Sequence, residues 1–211
     1  MAAAFMVAVC AQARIITPTE GQVWWGYFNE SDFEIGDYTV GTGSAMTLMA
    51  GIYIPANHEQ LGNATIQAVR VYLPSSAVSS LSALKIWISK TLPEKQSEAD
   101  VLQTTLGSLS AGANDYKLRT PYEVNNEGFY IGYSVKSTTG YFIRSGGTDA
   151  PNSFWIGNPE ASMSWQDLDG YGLGKLAFQI LVEGGNFPDN CAVADDFGQS
   201  MVLQEIGRAH V

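Results

Sequence analysis

The clearest chemical potential in this chain lies in Asp167-Leu-Asp169-Gly170-Tyr171-Gly172. An Asp-x-Asp-Gly loop offers two hard carboxylate oxygens at alternate positions, and glycine permits the sharp turn that brings carbonyl oxygens inward. Such a donor set suits Ca²⁺, which takes about six to eight oxygens. Asp167 and Asp169 are therefore candidate metal ligands, with calcium as the one cofactor the pattern fits. The loop lacks the third acid and the distal Glu of an EF-hand, and the competing reading is an Asp/Gly turn ahead of the last strand.

Aromatic residues offer a second kind of chemistry. Trp24, Trp25, Trp87, Trp155 and Trp165 are many for this length. Exposed rings stack on sugar faces or anchor partner proteins, although large aromatics more often fill a core. Trp87, Trp155 and Trp165 are the candidate binding residues, Trp87 for its strand phase and Trp165 for its place beside the Asp pair. The Gly146-Gly-Thr-Asp149 loop could shape such a site.

Catalysis finds weaker support. An enzyme needs converging acids, bases or nucleophiles. A cysteine-peptidase reading has only Cys191 and His58 to use, and no nucleophile-type motif surrounds Cys191, which reads as a small linker residue. A glycosidase needs two carboxylates flanking a cleft. With 21 acidic residues some pair falls close by chance. Asp196-Phe-Gly198 matches the kinase metal-binding tripeptide with no other kinase element beside it. No catalytic residue is assigned.

Which elements would position these groups? Thr65–Leu73 is rich in β-branched and aromatic residues and stops at Pro74. Leu84–Lys90 alternates, with Leu84, Ile86 and Ile88 on one face and Lys85, Trp87 and Ser89 on the other. This phase puts Trp87 on a solvent-facing side. Ala45–Ile54 alternates likewise, with Thr47, Met49 and Tyr53 opposite the apolar set. Val101–Leu109, Tyr116–Thr120, Phe129–Val135, Tyr141–Arg144, Ser153–Ile156 and Lys175–Val182 complete the strand candidates. Asn125-Asn-Glu-Gly128 is read as a hairpin turn, Asp32–Thr42 as a polar turn region, and Pro93–Asp100 as room for one helical turn. The Trp24-Trp25 stretch is a first strand or a lead-in laid across the fold. About eight or nine short strands at spacings of about 8–12 residues, without an amphipathic helix, predict an all-β antiparallel β-sandwich or jelly roll.

The 211 residues, 45% hydrophobic, suffice for one main core. A formal net charge of −10 argues against nucleic-acid partners. No internal apolar run approaches the roughly 18 residues of a membrane span. At the start, Ala2–Val9 forms an apolar stretch and Ala11-Gln12-Ala13 a small-x-small cleavage site, so residues 1–13 read as a signal peptide lacking its basic region. Cys10 raises a lipoprotein alternative that Val9 disfavours. Its removal leaves Cys191 alone, without an internal disulfide. Residues 14–183 are expected to form the β-sandwich module and 184–204 a linker into a further domain. Residues 205–211, Glu-Ile-Gly-Arg-Ala-His-Val, read as a non-native adapter-derived tail.

The succession Ala64-Thr-Ile-Gln-Ala-Val-Arg-Val-Tyr72, Leu84-Lys-Ile-Trp-Ile-Ser89, Gly112-Ala-Asn114, Leu118-Arg-Thr-Pro-Tyr122, Phe129-Tyr-Ile-Gly-Tyr133 and Trp165 with Gly174-Lys-Leu-Ala-Phe178 resembles a β-sandwich module of secreted bacterial proteins. Such modules accompany papain-like and streptopain-like cysteine peptidases and cleaved-adhesin (gingipain-type) surface proteins. The resemblance spans about Ser44–Glu183 and contains no catalytic motif. It implies an accessory jelly-roll domain followed by immunoglobulin-like or other extracellular modules; the function expected of the chain is non-catalytic adhesion to an extracellular glycan or a host or matrix protein, secreted or at the cell surface. The alternative it implies is a supporting domain of a secreted cysteine peptidase whose catalytic domain lies elsewhere.

Overall fold

The computed structural model of the chain describes residues 15–187, apart from 106 and 162. The expected signal peptide, Cys191, the tail and most of the expected linker lie outside the described residues. Thirteen strands are present among them: β1 (Gln22–Trp25), β2 (Asp37–Gly41), β3 (Met46–Ile54), β4 (Thr65–Leu73), β5 (Leu81–Ser89), β6 (Val101–Thr104), β7 (Gly112–Glu123), β8 (Phe129–Ser137), β9 (Tyr141–Gly146), β10 (Trp155–Asn158), β11 (Met163–Asp167), β12 (Lys175–Leu176) and β13 (Phe178–Glu183). A one-turn helix, α1 (Asp32–Ile35), precedes β2.

Two antiparallel sheets face one another. One runs β11-β10-β3-β8-β5-β6, the other β1-β13-β4-β7, and a small sheet β12-β9-β2 stands beside them. The expected all-β antiparallel sandwich is therefore what the chain forms. Period-two alternation explains the interior. Leu48, Ala50, Ile52 and Ile54 of β3, Ile86 and Ile88 of β5, and Ile131, Tyr133 and Val135 of β8 meet Val69, Val71, Phe178, Ile180 and Val182 from the opposite sheet. Tyr133 stacks on Phe178 across the gap, with centroids 6.2 Å apart. Each of the Val, Leu, Ile and Phe side chains contributes about 1.5–3 kcal/mol by leaving water. One flank is bridged by Gln103 of β6, whose Nε2 donates to Lys117 O at 2.9 Å while its Oε1 accepts from Arg119 N at 2.8 Å.

Three expectations are corrected by the topology. Asn125–Gly128 does not close a hairpin, because β7 pairs with β4 and β8 pairs with β3 and β5. The turn instead carries the chain from one sheet to the other. Asp32–Thr42 holds α1 and β2, not merely turns. Lys175–Val182 is two strands, since Ala177 N donates to Arg144 O while Ala177 O accepts from Tyr72 N, so the chain changes sheets at that residue. The one turn expected within 93–100 is a 3-10 turn at Gln96–Glu98.

Candidate functional site

Register, not proximity in sequence, assembles the aromatic residues. Trp155 of β10 pairs with Asp167 of β11 on one side and with Gly51 of β3 on the other. Gly51 pairs with Gly132 of β8, and Gly132 with Trp87 of β5. Directly opposed residues of antiparallel strands share a face. Asp167, Trp155, Gly51, Gly132 and Trp87 thus form one row across the outer face of the six-stranded sheet. The adjoining row places Tyr53 opposite Tyr130.

The two glycines make a hollow in the middle of this face. A Cβ at Gly51 would stand 2.8 Å from Trp87 Cζ2 and 2.8 Å from Ile131 O. The Trp87 indole lies where a Gly51 side chain would be, while a Cβ at Gly132 would meet the backbone of Ala50 and Gly51. Trp165 uses the same device, since a Cβ at Gly157 would be 2.9 Å from its Cδ2. The rings of Trp87 and Trp165 then pack with centroids 5.5 Å apart.

Trp87 is not on a wet face. It is fully buried, at 0% exposure. The strand phase was read as expected, but the segment after β5 folds back over this side of the sheet. Trp165 Nε1 donates to Pro93 O at 2.9 Å. Gln96 Oε1 accepts from both Lys85 Nζ and Ser134 Oγ at 3.3 Å, two residues on that same face. Gln96 N is in turn held by Glu160 Oε1 at 2.9 Å. The cover removes Trp87 from any ligand and leaves it as packing for a second, outer core.

The cover ends before the other end of the face. Tyr53, Tyr130 and Trp155 are half-buried there, and Asp167 beside them is also half-buried. Tyr53 and Tyr130 lie 4.6 Å apart at an interplanar angle of 39°. Tyr130 and Trp155 meet edge to face, 5.6 Å apart at 85°. Burial first, then the neighbouring Tyr53 and Asp167, pushes the Tyr130 phenol above its ordinary value, so the hydroxyl stays protonated at neutral pH. Trp155 Nε1 is buried without a hydrogen-bond partner, which turns the N–H edge of the indole into the protein. Tyr53 is fixed through its backbone, donating from N to Asn152 O at 2.8 Å and accepting at its carbonyl from Tyr27 Oη at 2.9 Å. These three rings and one carboxylate are the candidate site.

Sequence reasoning picked out Trp155 and Asp167 and missed both tyrosines. The available signal was their phase, since Tyr53 and Tyr130 occupy the polar phase of strands whose neighbours on that phase are Gly51 and Gly132.

Asp167 ends β11, and Asp169 lies in the turn that follows it. Asp167 Oδ1 accepts from Asp169 N at 3.1 Å, closing a turn. The nearby Asp149 gives both of its oxygens to backbone amides, Gly172 N and Gly174 N, each at 2.6 Å. Gly170, Gly172 and Gly174 all have positive φ, the conformation that makes this loop compact. Among the described residues no three His, Cys, Asp or Glu side chains converge as a metal set. The carboxylates here order a loop, and the loop leads directly from β11 and the Asp167 edge of the site.

Another concavity lies on the opposite side of the sandwich. A groove of about 600 Å³ on the outer side of the four-stranded sheet runs beneath Ile15–Thr19. Several of its polar groups bind partners within the protein, Gln22 and Gln67 to Glu183, and Asp115 to Arg70 and Ile16 N. Trp24 lies on that side under the Arg70 guanidinium at 4.3 Å. His58 packs edge-on against Trp25 at 5.0 Å, and burial lowers its pKa. No family model, curated protein or solved structure matches this chain.

Proposed function

We propose that this chain is a non-catalytic binding module that recognises glycans through Tyr53, Tyr130, Trp155 and Asp167. The observation that carries this reading is the arrangement of three half-buried rings on one sheet face with a carboxylate at their edge. Pyranose rings present C–H faces that pack on aromatic surfaces, and their hydroxyls need acceptors of fixed position. Asp167 supplies such an acceptor, and the protonated Tyr130 hydroxyl supplies a donor. A rigid sheet holds the rings without loop ordering, which keeps the entropy loss on binding small.

The proposed setting is extracellular, within a larger secreted or surface protein of a bacterium. The leader read in residues 1–13 and the resemblance to accessory modules support it. The acidic net charge disfavours phosphate backbones as partners. A glycan array probed with the full chain tests the function. Binding to at least one glycan class, lost in Trp155→Ala, is expected. No glycan signal together with capture by immobilised matrix proteins such as fibronectin or collagen would replace the sugar reading with protein adhesion.

A further inference from the structure

Three places on the molecule compete for attention: the groove beneath Ile15–Thr19, the Asp167–Gly172 loop, and the ring geometry of the candidate site. The first two have polar groups already bound to one another. The third carries a consequence for ligand class.

We infer that the site takes the end of a short neutral glycan, about one or two sugar units, and does not lie along an extended or crystalline polysaccharide; this rests on the glycan reading above. A crystalline sugar surface is flat and repeats over several units, so a protein that docks on it must offer rings in one plane, spaced along a line. Here successive ring planes turn by 39° and then by 85°. The steps between them are 4.6 and 5.6 Å, each comparable to a single pyranose. No one plane touches all three rings. The edge-to-face pair of Tyr130 and Trp155 forms a corner with a floor and a wall, which suits one sugar stacked on the floor and stopped by the wall.

The row beyond the corner is closed. Trp87 is covered, Trp165 is tied to Pro93 O, and the Gln96–Ser134 and Gln96–Glu160 bonds seal the face. Along the strand direction Gly128 sits against the Tyr53 hydroxyl. A chain entering the corner therefore meets protein at the Trp87 end of the row. Neutrality follows from charge. Asp167 borders Trp155 directly, and its field reaches the Tyr130 phenol. A uronate or sulfated sugar would bring a second anion against it on a chain of net charge −10.

The test is a titration of the full chain, followed by tryptophan fluorescence and calorimetry. The probes are cello-, xylo-, malto-, manno- and chito-oligosaccharides of two to six units, beside crystalline cellulose, crystalline chitin and polygalacturonate. For whichever series binds, affinity is expected to reach its full value by two or three units and to change less than about twofold up to six. The crystalline polymers and polygalacturonate should retain no protein. A rise of tenfold or more between two and six units, or retention on a crystalline polymer, overturns the inference while leaving glycan binding in place. Tighter binding to polygalacturonate than to neutral sugars overturns the neutrality. Binding to no sugar at all overturns both this inference and the reading beneath it.

Discussion

Two tryptophans of one sheet row serve opposite purposes. Trp87 is wholly buried against Gly51, whereas Trp155, three strands along the sheet, is only half-buried. Trp87→Ala removes a large ring from a filled site and should destabilise the fold by about 3–5 kcal/mol, read as a lower urea midpoint. Trp155→Ala should leave most of that stability in place and weaken glycan binding about tenfold or more, as loss of a central aromatic anchor does. The sequence allowed the phase of Trp87 to be read correctly but not its cover, because Pro93 and Gln96 reach it through a fold-back that leaves no periodic trace.

A pH effect belongs to this scale too. His58 has its pKa held below the ordinary 6.5, mainly by burial and despite the opposing charge of Glu59. Above pH 6.5 it is neutral both folded and unfolded, so it adds no pH dependence there. As pH falls below 6.5, the unfolded chain takes up a proton that the fold resists, and stability declines until the lowered folded value is passed. The melting temperature should therefore drop between pH 7.5 and 5.5, and a His58→Phe variant should drop less. Asp37, whose carboxyl the Arg144 guanidinium holds below 3.8, begins to contribute only in stronger acid. An equal fall in both proteins would place the effect elsewhere.

At the scale of elements, the central strands were legible and the edges were not. β3 and β4 alternate or run apolar over nine residues each, and their bounds could be read almost to the residue. β2 and β11 are short, half-exposed edge strands whose composition matches their loops; β2 is a strand only through the distant β9, and β11 through the neighbouring β10. The candidate site depends on such a strand, since Asp167 ends β11. Gly51 is an ordinary interruption in sequence and becomes, in register, the space for an indole. Gly51→Val places branched carbon against Ile131 O and Trp87 and should lower the thermal midpoint by several degrees, measured by circular dichroism. An unchanged midpoint would mean that the hollow is not filled as described.

At the scale of the molecule, the sandwich separates scaffold from surface. The inner faces hold the aliphatic core, and the outer face of the larger sheet carries a second aromatic layer, part covered and part open. No local motif marks the site, because its parts come from β3, β8, β10 and β11, brought together by pairing alone. The Asp-x-Asp-Gly loop is a local pattern, visible in a sequence, whereas an assembled site is not. In the fold that loop orders the end of β11 beside the rings.

The central claim is that Tyr53, Tyr130 and Trp155 form one binding surface for sugar. Its most direct test is a titration of the full chain and of a Tyr130→Ala/Trp155→Ala double variant against the glycan that gives the strongest array signal. The account predicts saturable binding by the chain and a loss of at least tenfold in the variant, with its circular dichroism spectrum unchanged. Equal affinity in a folded variant would contradict it.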